Sequence, residues 1–169
     1  AQPTRMVTFD NVEVPVSNRL GAEGQGFAIA MEGLDGGRIN IATCSVGTAQ
    51  QALEDAQAYV SDRKQFGQAI ADFQNTQFKL ADMVTELVAA RQMIRLAASK
   101  LDAGDTQAST YCAMAKRFAT DVGFKVCNDA LQLFGGYGYI REYPVERYVR
   151  DTRVHQILEG TNEVMRVIV

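Results

Sequence analysis

The sequence predicts an all-α fold, an up-and-down helical bundle with a short extended segment at its N-terminus. Three observations lead there. Proline occurs only at Pro3, Pro15 and Pro144, so the stretch from 16 to 143 can hold helices without a forced kink. Across that stretch apolar residues recur every three or four positions, the period of one helix face. Glycines then interrupt the periodic runs at Gly67, Gly104 and Gly135-Gly136, where helices can stop.

Taken in order, Arg5 to Val16 alternates weakly through Val7, Phe9, Val12 and Val14. It predicts one or two short strands at the edge of something absent from the chain. Gly21, Gly24 and Gly26 form a loop, Phe27 to Leu34 a short helix, and Asp35-Gly36-Gly37 a weakening or bend. The first long helix is expected near 38–62, with Ile39, Ala42, Val46, Ala49, Leu53, Ala56 and Val60 on one face. Arg63 and Lys64 suit the negative end of its dipole, and Gly67 can stop it. Asp72 is a plausible N-cap for a second helix near 73–103, with a stripe of Leu80, Val84, Leu87, Ile94, Ala98 and Leu101. A third, near 107–134, carries Tyr111, Met114, Phe118, Val122, Val126, Ala130 and Leu133. Short helices follow at 145–153 and 161–169. Such wide aliphatic stripes suit antiparallel neighbours in a bundle.

Composition narrows the function. The 169 residues are 47% apolar and 22% charged with a net charge of −3, the profile of a globular chain with a real core. Both signs are dispersed and no basic block exists, which argues against nucleic acid as a partner. No apolar run is long enough to cross a bilayer, and without a charged and then apolar opening no signal peptide is expected. The three cysteines, Cys44, Cys112 and Cys127, are odd in number and far apart. With a single histidine they suit neither a disulfide framework nor a metal site. Each is expected to fill a small apolar site on a helix. His155, with no paired acid or nucleophile in the sequence, is expected to be structural. The start at Ala1 and the stop inside Val167-Ile168-Val169 predict a piece of a longer polypeptide.

Four segments carry candidate chemistry. In Leu158-Glu159-Gly160-Thr161-Asn162-Glu163, Thr161 can cap a helix that starts at Asn162, and Glu163 suits its first turn. Glu159 lies just before that helix, after Ile157-Leu158. An apolar pocket would raise its pKa and make it a competent base; the plainer alternative is a solvated glutamate in a turn. Arg38 follows Asp35-Gly36-Gly37 at a helix start, where a cation is poorly placed for the dipole. Arg63-Lys64-Gln65-Phe66-Gly67 reads most simply as a helix end with a stop glycine, although a guanidinium fork also suits a diphosphate. Gln132-Leu133-Phe134-Gly135-Gly136 reads as a glycine stop, or as a place where backbone approaches a ligand closely.

Together EGTNEV at 159–164, preceded by RYVRDTRVHQIL, with DGGRINIA at 35–42, RKQFG at 63–67 and QLFGGYGY at 132–139, resemble the acyl-CoA dehydrogenase family in order and spacing. The resemblance covers essentially the whole chain and points to short- or branched-chain members. It implies that residues 1–20 end a middle β-domain and that 21–169 form the C-terminal helical domain. It also implies FAD as cofactor and α,β-dehydrogenation of an acyl-CoA, with electrons passing to an electron-transferring flavoprotein. Glu159 matches the family's α-proton-abstracting base. The position where some members carry the base instead is Gly37, which has no carboxylate. Asp35, Arg38 and Gly160 match the acyl-CoA site. Arg63, Phe66, Gln74, Gln132, Gly135 and Gly136 match cofactor positions, the Arg63-Phe66 and Gln132-Gly136 segments serving a neighbouring subunit's FAD. Thr161, Asn162 and Glu163 match positions near the dinucleotide. A homo-oligomer follows, a tetramer in the full-length enzyme, in the cytoplasm of a bacterium or the mitochondrial matrix of a eukaryote. The fragment alone is expected to be inactive. Two other readings stay open: an oligomerisation module without activity, which would purify without flavin colour, and a related flavin oxidase or lyase, whose reduced flavin would react rapidly with oxygen.

Overall fold

The computed structural model describes residues 5–169. Three long helices dominate: α1 (Gly26–Asp62), α2 (Gln74–Asp102) and α3 (Ala108–Phe134), followed by the short α4 (Val145–His155) and α5 (Asn162–Ile168). Lys79 of α2 pairs with Asp129 of α3, and Glu86 with Lys125, so α2 and α3 run antiparallel. Asp35 meets Ser109, Ser45 meets Gly123 and Tyr59 stacks on Phe134, so α1 and α3 run parallel. The result is an up–down–up bundle.

The α1–α3 seam is built from small residues. Ala42, Ala49, Ala52 and Ala56 of α1 and Ala115, Ala119 and Ala130 of α3 are fully buried. A Cβ on Gly123 would lie 2.9 Å from Ser45 Cβ and 3.0 Å from its carbonyl oxygen, so backbones approach closely here. The α1 stripe is as the sequence predicts, Ala42 to Val60 buried and Ile39 half-buried. The α2 core face is rotated from the predicted one. Met83, Leu87, Ala90, Ile94 and Ala97 are buried, while Val84 remains 48% exposed. Two apolar stripes compete on this helix, and tertiary packing rather than periodicity selects between them.

Four expectations are corrected. The helix does not break at Asp35-Gly36-Gly37 but runs unbroken from Gly26. Each mid-helix glycine costs about 1 kcal/mol; ties to α3 and the i,i+3 Arg38–Asp35 ion pair offset this. Residues 5–15 form no strand, and their apolar side chains are exposed, since a lone segment has no ladder to pair with; positions 1–4 of the expected strand remnant lie outside the described residues. Asp72 is not the N-cap of α2. That place falls to Phe73, while Asp72 Oδ2 accepts from the Ala69 N–H at 3.3 Å in a preceding 3₁₀ turn. Gly67 does not stop α1, which ends at Asp62. It turns a hairpin between β1 (Lys64–Gln65) and β2 (Gln68–Ala69). Phe66 and Gly67 have φ of 53° and 82°, positive at both central residues as a type I′ turn requires.

The expected short helices form at nearly the expected places. Of the cysteines, Cys112 and Cys127 are buried, and burial pushes their thiols up to about 11 and about 12. Cys44 is exposed on the outer face of α1, against the expectation of a filled apolar site. His155 is buried at the end of α4, its Nδ1 2.7 Å from Ser45 Oγ, and burial lowers its pKa. This bond pins α4 to α1 and so aims the segment that follows.

Candidate active site

That segment, residues 156–161, reverses the chain between α4 and α5. Glu159 and Gly160 both adopt left-handed backbone, φ 56° and 89°. The conformation costs a non-glycine residue about 1–2 kcal/mol, so Glu159 is held there by its surroundings. Gly160 is held by shape as well: a Cβ would meet Met165 Cε at 2.7 Å. The reversal is closed by Asn162 N–H donating to Gln156 O at 3.0 Å. Thr161 then caps α5, its Oγ1 accepting from Val164 N–H at 3.3 Å, as the sequence predicts.

The reversal sends the Glu159 side chain back to α1. A Cβ on Gly37 would stand 2.5 Å from Glu159 Oε2 and 3.0 Å from Cδ. The carboxylate therefore rests on bare helix backbone, in space that only glycine leaves. Beside it, Arg38 Nη1 donates to Asp35 Oδ1 at 2.7 Å, and Asp35 Oδ2 accepts from Ser109 Oγ of α3. Arg38 is buried, and its Nε has no acceptor among the described residues. Asp35, Arg38, Glu159 and Gly160, singled out separately in the sequence, thus meet where α1, α3 and the reversal converge.

Lys116 completes this corner, and the sequence reading missed it. It is fully buried in α3. Its Nζ donates to Gly160 O at 2.7 Å and to Asn162 Oδ1 at 2.8 Å. Burial pushes its pKa down to about 8 against the attraction of Asp121, Glu163 and Glu159. Asn162 Nδ2 donates to Asp121 Oδ1 at 2.7 Å, and Gln156 Nε2 reaches the same oxygen at 2.8 Å. A usable signal existed: Lys116 shares a helix face with Cys112, Ala119 and Thr120, whose small side chains leave room for a long one.

The expected cofactor positions separate into two groups. A cavity of about 890 Å³ between the hairpin and the end of α3 is lined by Arg63, Phe66, Gln132, Gly135 and Gly136 among others. Its aromatic wall is Tyr59 stacked on Phe134 at 4.1 Å, with Tyr143 edge-on to both. The Arg63 guanidinium lies 5.3 Å above the Tyr137 ring. Phe66, at the hairpin tip, is 92% exposed. Gln74 opens α2 nearby but stays exposed, outside the cavity wall, where Asn75 and Thr76 stand. The second group lines a small depression with Asp121, Arg153 and Arg166. Thr161 and Glu163 face outward there, whereas the Asn162 side chain turns into the bundle. Among the described residues, no cluster of His, Cys, Asp or Glu could hold a metal, and no helix is long and apolar enough to cross a membrane.

Known proteins are similar to this chain in sequence and in fold. Residues 24–169 match the family model described as acyl-CoA dehydrogenase, C-terminal domain. The chain is 60% identical over 168 residues to the mitochondrial isobutyryl-CoA dehydrogenase of Dictyostelium discoideum, covering 99% of this chain and 40% of that one. It matches the solved butyryl-CoA dehydrogenase of Megasphaera elsdenii with TM-score 0.90 and 49% identity, over 95% of this chain and 42% of that one. A chain from a structure described as the electron transferring flavoprotein of Acidaminococcus fermentans matches with TM-score 0.90 and 50% identity, over 95% and 42%. The chain therefore spans about two fifths of the length of these relatives, and it belongs to the acyl-CoA dehydrogenase family as that family's C-terminal helical domain.

Proposed function

We propose that this domain serves the α,β-dehydrogenation of a short- or branched-chain acyl-CoA in the complete protein, with Glu159 as the base that takes the α-proton. The observation that carries the reading is the seat of Glu159. A strained backbone outside any helix directs a half-buried carboxylate onto Gly37, beside the Asp35–Arg38 pair. A base needs reach toward substrate and a fixed direction, and this geometry gives both. The similarity to an isobutyryl-CoA dehydrogenase supports a branched acyl group. FAD, when bound, would supply the acceptor for the β-hydrogen as hydride.

The residues present fit that cofactor. The cavity pairs a guanidinium, suited to a diphosphate, with an aromatic ring held out at a strained hairpin tip. Gly135 and Gly136 border it with open space where a Cβ would be. Arg63, Phe66, Gln132 and these glycines would hold one FAD, and Thr161 and Glu163 would approach another. Two separate partial sites on one chain suit a cofactor shared between copies, so self-association, a tetramer in the complete enzyme, belongs to the proposal. Electron-transferring flavoprotein is the proposed electron acceptor. Much of the acyl and CoA site would come from the rest of the enzyme, so the isolated chain is expected to be inactive.

The test is anaerobic flavin bleaching on mixing complete enzyme with isobutyryl-CoA. Glu159→Gln keeps the shape but cannot accept the proton. Its reduction rate should fall about 10²–10⁴-fold or more, while substrate binding is largely kept. Reduction at the wild-type rate would remove Glu159 from its role.

A further inference from the structure

We infer that Lys116 is a positioning residue for Glu159: its buried ammonium, tied to the Gly160 carbonyl and the Asn162 side chain, holds the reversal in the shape that lays the carboxylate on Gly37. The inference rests on the reading of Glu159 as the base.

Lys116 is the largest of the fully buried side chains. A buried ammonium is retained against its lost hydration only by partners of good geometry. Both partners, at 2.7 and 2.8 Å, belong to the segment that begins with Glu159. They flank Thr161, the cap of α5, so one cation from α3 grips both sides of the turn. Holding Gly160 O fixes the peptide plane that follows the left-handed pair. Glutamate has no intrinsic preference for φ near +56°, so tertiary contacts must impose it, and Lys116 supplies one directly on the adjoining residue.

Charge contributes too. The ammonium is surrounded by Asp121 on its own helix, Glu163 on α5, Glu159 on the reversal and Arg38 on α1, and it acts on His155 of α4. Within this set the ammonium is bonded to the reversal itself, at Gly160 O and Asn162 Oδ1.

The test uses complete enzyme loaded with FAD. Lys116→Met keeps length and removes charge and donors; Lys116→Gln removes the charge but keeps a donor. Flavin reduction by isobutyryl-CoA is followed anaerobically, with substrate affinity and melting temperature measured alongside. Lys116→Met should reduce about 10²-fold more slowly, the scale of a misplacement of roughly 1 Å, with affinity changed far less. Saturating substrate should not restore the rate, because the carboxylate is misplaced while binding is kept. Lys116→Gln should recover part of the rate, because its amide can still donate to the turn. A purely structural lysine would lower affinity and stability together with the rate, without this split. Reduction at the wild-type rate, or a rate loss matched by an equal loss of affinity, overturns the inference, and if Lys116→Met does not fold, Lys116→Gln decides by the same criterion. Glu159→Gln run in parallel separates the two readings. If it is slow while the Lys116 variants reduce at the wild-type rate, only the lysine's role fails. If it reduces at the wild-type rate, the base itself is misassigned.

Discussion

Replacing Gly37 by alanine should stabilise the helix and impair the enzyme at once. Gly37 lies inside α1, where glycine-to-alanine gains about 1 kcal/mol of helix stability. The new methyl would stand 2.5 Å from Glu159 Oε2. Ordinary contact begins at 3.4 Å, so the carboxylate must retreat by about 0.9 Å. The yielding atom is the end of a flexible side chain, so the retreat costs little stability. With Glu159 in its proposed role, it costs the reaction more, because a base displaced by about 1 Å can lose 10²-fold in rate, roughly 2.7 kcal/mol of barrier. Thermal unfolding of complete Gly37→Ala enzyme should therefore occur no lower than in wild type, while anaerobic flavin reduction slows. Wild-type reduction by Gly37→Ala would refute the reasoning, since it would show that the seat on Gly37 is not the reactive position. A lowered melting temperature would show that backbone, not the glutamate, gives way.

Two predictions concern the frame. Gly123→Ala should destabilise the chain despite alanine's higher helix propensity, because the neighbours at 2.9 and 3.0 Å are Ser45 Cβ and backbone oxygen; the expected loss is about 1–3 kcal/mol in urea unfolding, and equal or greater stability would mean that the α1–α3 seam is looser than described. The pKa of His155 is lowered by burial from its usual 6.5, so above pH 6.5 the neutral ring carries no protonation penalty, and as pH falls below it the unfolded chain binds the proton first. Stability should then drop with a slope of at most about 1.4 kcal/mol per pH unit, and His155→Gln should flatten that slope above the carboxylate range; an equal slope in both proteins would exclude His155 as the cause.

Much of the bundle was legible because its signals are local. The α1 stripe and the Thr161 cap needed only spacing and a hydroxyl in the right place. What was illegible is tertiary in origin. Asp35-Gly36-Gly37 reads as a break, yet the helix persists because Asp35 is tied to Ser109, 74 residues away in sequence. The choice between Met83 and Val84 as core on α2 depends on where α3 lies. Gly67 reads as a helix stop, and the hairpin stays hidden, because a bulky residue such as Phe66 rarely adopts positive φ. The motif residues of the candidate site are legible one by one. Their convergence is not, and Lys116, which joins them, carries no motif.

The convergence also explains why the carboxylate sits on a reversal rather than on a helix. A helical glutamate points where its turn directs it, and it cannot lie flat on a neighbouring backbone without separating the two helices. Glu159 instead leaves α4 through a left-handed pair, and its direction is set from three sides: His155 bonded to Ser45 behind it, Thr161 capping α5 ahead, and Lys116 gripping Gly160 from below. The strain of the left-handed glutamate is distributed over bonds to α1, α3 and α5. Each of these can be weakened separately, and each should then loosen the carboxylate without removing it. If Glu159 is the base as proposed, rate should be more sensitive than binding to every substitution around the reversal, because a loosened base still fills its seat for part of the time but meets the α-proton in the required geometry less often.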